Sequence, residues 1–317
     1  MKRLFSAAAA LLLGASISLA ASAKDYGSVT VLGDSIATGY GLAGYTAGDN
    51  YSPEGSFGSL ISADCSEYTN LAKDGATSAD LLARLDDEDA IAAVSKADSV
   101  IISIGGNDFL QPMLSAVMGV VTEDPELLMA IMTGDITEEL IQQVMGSLVG
   151  AAQSVDISKS GENLSGIIEK IHKANPDCNI YILTVYDPFE GVAEMEPLEL
   201  AAKERLPQLN STIDYVAKNS GAQVIDVNSA FAGHAEEYTN IGIMDIHPSA
   251  QGHKVIYSLL SDAVKEIAPS TPEPSSPGTD NSPSPDSSSD NPPTGAAAFA
   301  GVGALTAAVL VVSRRKK

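Results

Sequence analysis

Strand-length runs of apolar and β-prone residues occur at 29–32, 68–71, 100–104, 180–185 and 224–227. Between them lie longer stretches in which apolar residues recur at the three- and four-residue spacing of a helix face. Near-continuous apolar strands alternating with helices predict a parallel sheet covered on both faces, an α/β fold of three α/β/α layers with five strands. Open sheets of this kind build their sites at the carboxyl ends of strands. Polar blocks stand at three such ends: Gly33-Asp34-Ser35, the stretch from Asn70 through Lys73-Asp74-Gly75 to Thr77, and Gly105-Gly106-Asn107-Asp108.

One stretch exceeds what such a domain needs. Residues 109–158 read as several short helices carrying five of the eight methionines, among them Met113, Met118 and Met145. This helical insertion is either a lid or acyl-binding wall, for which methionine's adaptable shape suits it, or a further packed layer. Residues 40–57, rich in Gly and Tyr, form a second loop beside Ser35 that could line a substrate groove.

The two ends of the chain predict its location. Lys2 and Arg3, the apolar run 4–20 and the small residues Ala21-Ser22-Ala23 read as a secretory signal peptide over 1–23. The domain then occupies 24–268, a length compatible with one unit. Residues 269–290 are dense in Pro, Ser, Thr and Asp without apolar periodicity, the composition of an extended, disordered linker. Residues 291–317 begin Asn291-Pro292-Pro293-Thr294-Gly295, continue as the apolar segment 296–312 and end on the basic tail Arg314-Arg315-Lys316-Lys317. This tripartite pattern resembles a sortase cell-wall sorting signal, cut between Thr294 and Gly295. Leucine usually stands where this chain has Asn291. The alternative is a membrane anchor, seventeen apolar residues being near the short limit for a span. Either places the protein on the surface of a Gram-positive bacterium, the tail meeting the membrane before processing, with sortase and peptidoglycan as partners.

With 41 Asp and Glu against 18 Lys and Arg, the formal net charge is −23, which excludes nucleic acid and anionic lipid surfaces as natural partners. Basic residues in the leader and tail leave the intervening chain more acidic still. Two cysteines, Cys65 and Cys178, fall near strands two and four, which the expected order does not make neighbours, so a disulfide is not predicted.

The order and placement of the blocks, with Asp245-Ile246-His247-Pro248 near the domain's end, resemble the SGNH family, the GDSL esterases and lipases, from about Ser28 to Ile267. The resemblance implies a flavodoxin-like SGNH hydrolase fold and a serine hydrolase acting on ester bonds without metal or cofactor. Carried over by position, Ser35 is the nucleophile and His247 the general base, and the oxyanion hole comprises the Ser35 amide, the Gly75 amide and the Asn107 side chain. The residue types suit the chemistry. A serine hydroxyl needs an imidazole to take its proton, and the tetrahedral oxyanion needs fixed donors. An α/β-hydrolase elbow, Gly-x-Ser-x-Gly, is absent from Gly33-Asp34-Ser35-Ile36-Ala37.

The family's aspartate stands three residues before the histidine, where this chain has Met244; Asp245 is two before. In an extended loop that offset turns the carboxylate to the opposite side. Either the loop is remodelled so that Asp245 reaches Nδ1, or a backbone carbonyl takes its place in a Ser-His dyad. Of the other histidines, His253 reads as packing or capping a terminal helix, His172 as a solvated helix face, and His234 as a loop residue within reach of the site. Asp34 and Asp108 read as holding loop amides. No His, Cys, Asp and Glu set has zinc-like spacing. The reading is a secreted, surface-anchored esterase of small-molecule or lipid-like esters. The alternatives are an acetyl esterase of polysaccharide esters and, in another class, a non-catalytic wall-displayed binding module.

Overall fold

A computed structural model describes residues 24–48, 51–125, 129, 130, 133, 137–192, 195–243 and 245–265. The predicted leader at 1–23, linker at 269–290 and sorting signal at 291–317, with its apolar segment 296–312, lie outside the described residues. Among the described residues no helix is long and apolar enough to cross a membrane.

The strands are β1 (Ser28–Gly33), β2 (Glu67–Asn70), β3 (Ser99–Ser103), β4 (Asn179–Leu183) and β5 (Gln223–Ile225), in one sheet of order β2-β1-β3-β4-β5. Every pairing is parallel. The helices in chain order are α1 (Ser35–Thr38), α2 (Phe57–Ser62), α3 (Ser78–Arg84), α4 (Glu88–Lys96), α5 (Gly106–Glu123), α6 (Glu138–Gln153), α7 (Ile157–Ala174), α8 (Glu196–Ser220), α9 (Val227–Phe231), α10 (Ala235–Tyr238) and α11 (Ala250–Ala263). A 3-10 turn covers Ile241–Ile243.

Strand alternation divides the interior into two cores. Leu32, Val100, Ile102, Ile180 and Ile182 pack with the helices from α3 to α8. Val29, Val31, Ile101, Tyr181 and Leu183 meet α2, α9 and α11 through Phe57, Ile61, Phe231, Ile256 and Leu260. The central β3 is buried along its whole length, as a strand covered on both faces must be. Its Ile101 and Ile102 are each worth about 1.5–3 kcal/mol of transfer free energy. The sheet is thus the predicted five-stranded parallel one.

Strands β2 and β3 end one residue before their apolar runs do, and β4 and β5 end two residues before theirs. The run 180–185 outlasts β4 because Asn210 of α8 takes both backbone groups of Val185, accepting from its N–H at 2.9 Å and donating to its carbonyl at 2.8 Å. The run 224–227 stops at Ile225 because Asp226 caps α9, its carboxylate accepting from Ser229 N–H at 3.0 Å.

Across the predicted insertion the described residues include two long helices, α5 and α6. Helix α5 begins at Gly106, so Asn107 and Asp108 lie in its first turn. Thr137 caps α6 by accepting from Leu140 N–H, and Val144, Leu148 and Ala152, four apart, carry that helix into the main core. Helix α6 is therefore a packed layer against α5 and α8.

At the carboxyl edge, β1 and β3 approach so closely that Gly33 has no room for a side chain. A Cβ there would sit 2.2 Å from the Ser103 carbonyl oxygen, and φ is +153°. Gly33→Ala is expected to lower unfolding stability by about 3 kcal/mol, as overpacking against backbone does. Urea denaturation with an unchanged m-value would check it, and wild-type stability would remove the claimed constraint.

Candidate active site

Leaving β1, the chain reverses into the single turn of α1. The Asp34 N–H donates to Ser103 O at 3.1 Å, and its carboxylate caps the turn by accepting from Ile36 N–H at 3.0 Å. Ser35 is thereby held at the first position of α1, 5% exposed, with its carbonyl accepting from the Thr38 hydroxyl at 3.0 Å. Burial, helped by the charges of Asp108 and Asp74 and opposed by the Ile36 amide, pushes the Asp34 carboxyl up to about 7. The folded chain then keeps a proton that the unfolded chain releases near pH 4, so Asp34 costs stability as pH rises from about 4 to 7.

His247, 5% exposed, presents Nε2 to Ser35 Oγ at 2.9 Å. Its other ring nitrogen, Nδ1, meets Asp245 Oδ1 at 2.5 Å. A carboxylate only accepts, so Nδ1 carries the proton and Nε2 is left as the acceptor for the serine hydroxyl. The two-residue offset works because Asp245 is not extended. The same Oδ1 accepts from the His247 backbone N–H at 3.0 Å, an Asx turn that curls the carboxylate back over the residue two ahead. Asp245, not a backbone carbonyl, occupies the position beside Nδ1. Burial alone would raise the Asp245 carboxyl, but bonds from the His247 ring and amide and from Asn240, with the imidazole's charge, hold it below the ordinary range.

The histidine loop is pinned on several sides. Thr239 and Pro248 form an antiparallel bridge, and Asn240 N–H donates to His247 O at 2.9 Å. The Tyr186 hydroxyl, beyond the end of β4, donates to the Ile246 carbonyl at 2.8 Å. Gly41 passes so near that a Cβ would lie 2.7 Å from Asp245 Oδ2, and the Tyr40 ring centroid is 4.5 Å from that of His247. Sequence reasoning missed Tyr186 and Gly41. The Gly39-Tyr40-Gly41 repeat beside the serine was a signal for the second; nothing local marked the first.

The Gly75 loop lies on the other side of β1, joined to it by Lys73 N–H donating to Gly33 O at 2.9 Å. Asp74 accepts from Thr38 at 2.6 Å and from the Tyr45 hydroxyl. Gly75 has φ +73°, a left-handed conformation natural to glycine. Among the described residues, neither its N–H nor that of Ser35 has a hydrogen-bond partner. Asn107 Nδ2 donates to Ala76 O at 3.0 Å, which leaves its second amide hydrogen available. Asp108 accepts from Ser78 N–H at 2.8 Å and from the hydroxyls of Ser78 and Ser160, tying this loop to α7. The three predicted oxyanion positions thus lie on adjoining, mutually bonded loops.

The remaining histidines are elsewhere. His253 is fully buried, with Nδ1 accepting from Phe57 N–H at 3.3 Å; burial first, then the charge of His247, brings its pKa down to about 3. His172 is not on a solvated face but half-buried, bonded to Ser220 O where α7 and α8 end together. His234 pairs with Glu237 and stacks on Tyr238 instead of reaching the serine. Cys65 and Cys178 are both free. Among the described residues, no group of three or more His, Cys, Asp and Glu could hold a metal ion.

Residues 31–255 match the GDSL-like Lipase/Acylhydrolase family. The spore germination lipase LipC of Bacillus licheniformis is 26% identical over 243 residues, covering 74% of this chain and 94% of its own. Two solved structures share the fold at 21% identity and TM-score 0.54: an extracellular lipase from Streptomyces rimosus and phospholipase A1 from Streptomyces albidoflavus. Each alignment covers 76% of this chain, and 100% and 99% of the respective structures. With well over half its length matched, the chain belongs to the GDSL-like lipase/acylhydrolase family and is an ester-hydrolysing serine hydrolase.

Proposed function

We propose that Ser35 is the nucleophile, His247 the general base and Asp245 the residue that orients the base and stabilises its charged form, in a secreted esterase held at the cell surface. The observation that carries this is the hydrogen-bonded line from Ser35 Oγ through His247 to Asp245. As Oγ bonds to the ester carbonyl carbon, its proton passes to Nε2, and Asp245 stabilises the resulting imidazolium. The oxyanion is received by the amides of Ser35 and Gly75 and the free amide hydrogen of Asn107, each worth on the order of 3 kcal/mol of barrier. Collapse breaks the ester C–O bond, and the alcohol leaves with the proton from Nε2. A water, deprotonated in turn by His247, attacks the acyl-serine and releases the acid. A non-catalytic binding module would have no need of a buried serine aligned on a histidine and carboxylate.

The lipase names of the relatives favour lipid-like or other small acyl esters as substrates. One feature supports the second reading, an ester on a glycan. Tyr40, Tyr45 and Tyr51 form a chain of rings leading away from His247, with centroids 5.1 Å and 6.1 Å apart, and half-exposed aromatic faces suit sugar rings. Export and wall attachment rest on the leader at 1–23 and the segment 291–317. Deleting 291–317 is expected to move the protein from the wall fraction to the medium; retention on the wall would refute sorting through that segment.

A fluorophosphonate probe should label the wild type at Ser35 and leave folded Ser35→Ala unmarked, with loss of p-nitrophenyl ester turnover. An unlabelled but folded wild type would overturn the assignment. Asp245→Ala is expected to lower kcat by roughly 10³–10⁴-fold with KM little changed. A variant as active as wild type would show that the carboxylate is incidental.

A further inference from the structure

We propose that Gln111 is a positioning residue for the oxyanion hole: its side-chain amide holds the Gly75 peptide so that the Gly75 N–H points at the reacting carbonyl. The proposal rests on the reading of Ser35 as nucleophile with Gly75 and Asn107 as oxyanion donors. Helix α5 places Asn107 and Gln111 one turn apart on the same face. Their amides grip consecutive carbonyls of the loop: Asn107 Nδ2 donates to Ala76 O at 3.0 Å and Gln111 Nε2 donates to Gly75 O at 2.8 Å. The peptide between Gly75 and Ala76 is fixed at both ends, since Ala76 N–H donates to Lys73 O at 3.1 Å. On the other side of Gly75, the Asp74 side chain is held by Thr38 and Tyr45.

The need for such a clamp comes from glycine itself. Gly75 sits at φ +73°, and a residue without Cβ enters both halves of the φ range at similar cost. Steric preference alone cannot therefore keep its N–H aimed. With the carbonyl on one side anchored by Gln111 and the preceding residue anchored by its side chain, the direction of the intervening N–H is set before substrate arrives. Preorganisation of this kind is what gives an oxyanion hole its effect, because the donors do not reorient as charge develops. A neutral amide also suits the place. A carboxylate there would repel the Gly75 carbonyl and the developing oxyanion, while a glutamine supplies the donor without charge. Gln111 touches neither substrate nor the serine in this account; it acts through Gly75.

The test compares Gln111→Met, which keeps the length and removes the donor, with Gln111→Glu, which turns donor into acceptor, and Gln111→Lys, which restores a donor. An alkyl boronic acid serves as the tetrahedral probe, since its adduct on Ser35 presents an oxygen where the oxyanion forms. Gln111→Met is expected to lower kcat and boronate affinity together, each on the order of tenfold, less than the 10²–10³ typical of deleting a donor itself. KM and the thermal midpoint should stay near wild type. Gln111→Glu should lose more, and Gln111→Lys should recover to within about threefold of wild type, the shortfall expected of an imperfect replacement. Unchanged kcat and boronate affinity in Gln111→Met would overturn the proposal. So would a fall in thermal midpoint and a rise in KM with the ratio of boronate to substrate affinity unchanged, the result of a merely structural contact. Should Gln111→Met fail to fold, the ratio measured in Gln111→Glu against Gln111→Lys decides by the same criteria. Failure of the underlying reading looks different, because wild type itself would then bind no boronate through Ser35.

Discussion

A single oxygen, Oδ1 of Asp245, accepts from both the backbone N–H and the ring Nδ1 of His247, and the site depends on that shared acceptor. The backbone bond closes an Asx turn and the ring bond fixes the tautomer, so local chain geometry and base chemistry are settled together. The turn is kept from unwinding by contacts that reach it from distant parts of the fold. Pro248 restricts the backbone of His247, the Thr239–Pro248 bridge closes the loop, and Tyr186 holds the carbonyl of Ile246 between acid and base. Gly41 leaves room for the carboxylate where any side chain would collide with it.

The sheet supplies the other half. Because β1 lies between β2 and β3, the loops that follow these three strands are neighbours, and residues 35, 75 and 107 come to one rim without long connections. Gly33 lets β1 press against the Ser103 carbonyl, and the Asp34 amide then takes that same oxygen, so the reversal into α1 starts from a fixed point. Three acids crowd this rim. Asp74 and Asp108 each accept from hydroxyls or amides of neighbouring loops, whereas Asp34 is buried with its cap bond and has its carboxyl pushed up to about 7. Their common structural effect is to lace loops that carry the reacting groups.

Much of this could be read from the sequence, for definite reasons. The parallel sheet was legible because strands buried on both faces leave apolar runs, and the blocks at 33–35, 70–77 and 105–108 stand where those runs end. The exact strand ends were not, since Asn210 and Asp226 compete for backbone groups through side chains, one of them from a helix distant in sequence. For the insertion the sequence left a lid and a packed layer both open, and it is Val144, Leu148 and Ala152, buried four apart on one helix face, that make α6 a packed layer. Around the base, the offset between Asp245 and His247 was visible, but its consequence hung on whether the loop was extended or turned. Tyr186 and the half-buried His172 were illegible because what defines them is a partner sixty and forty-eight residues away.

The most direct measurement is a crystal structure of the wild-type protein after reaction with an alkyl fluorophosphonate. Phosphorus should be bonded to Ser35 Oγ, with the phosphoryl oxygen at about 2.7–3.1 Å from the amide nitrogens of Ser35 and Gly75 and from Asn107 Nδ2. The Asp245 carboxylate should remain on His247 Nδ1. A phosphoryl oxygen turned to solvent, or a His247 ring that has left Asp245 for another partner, would contradict it.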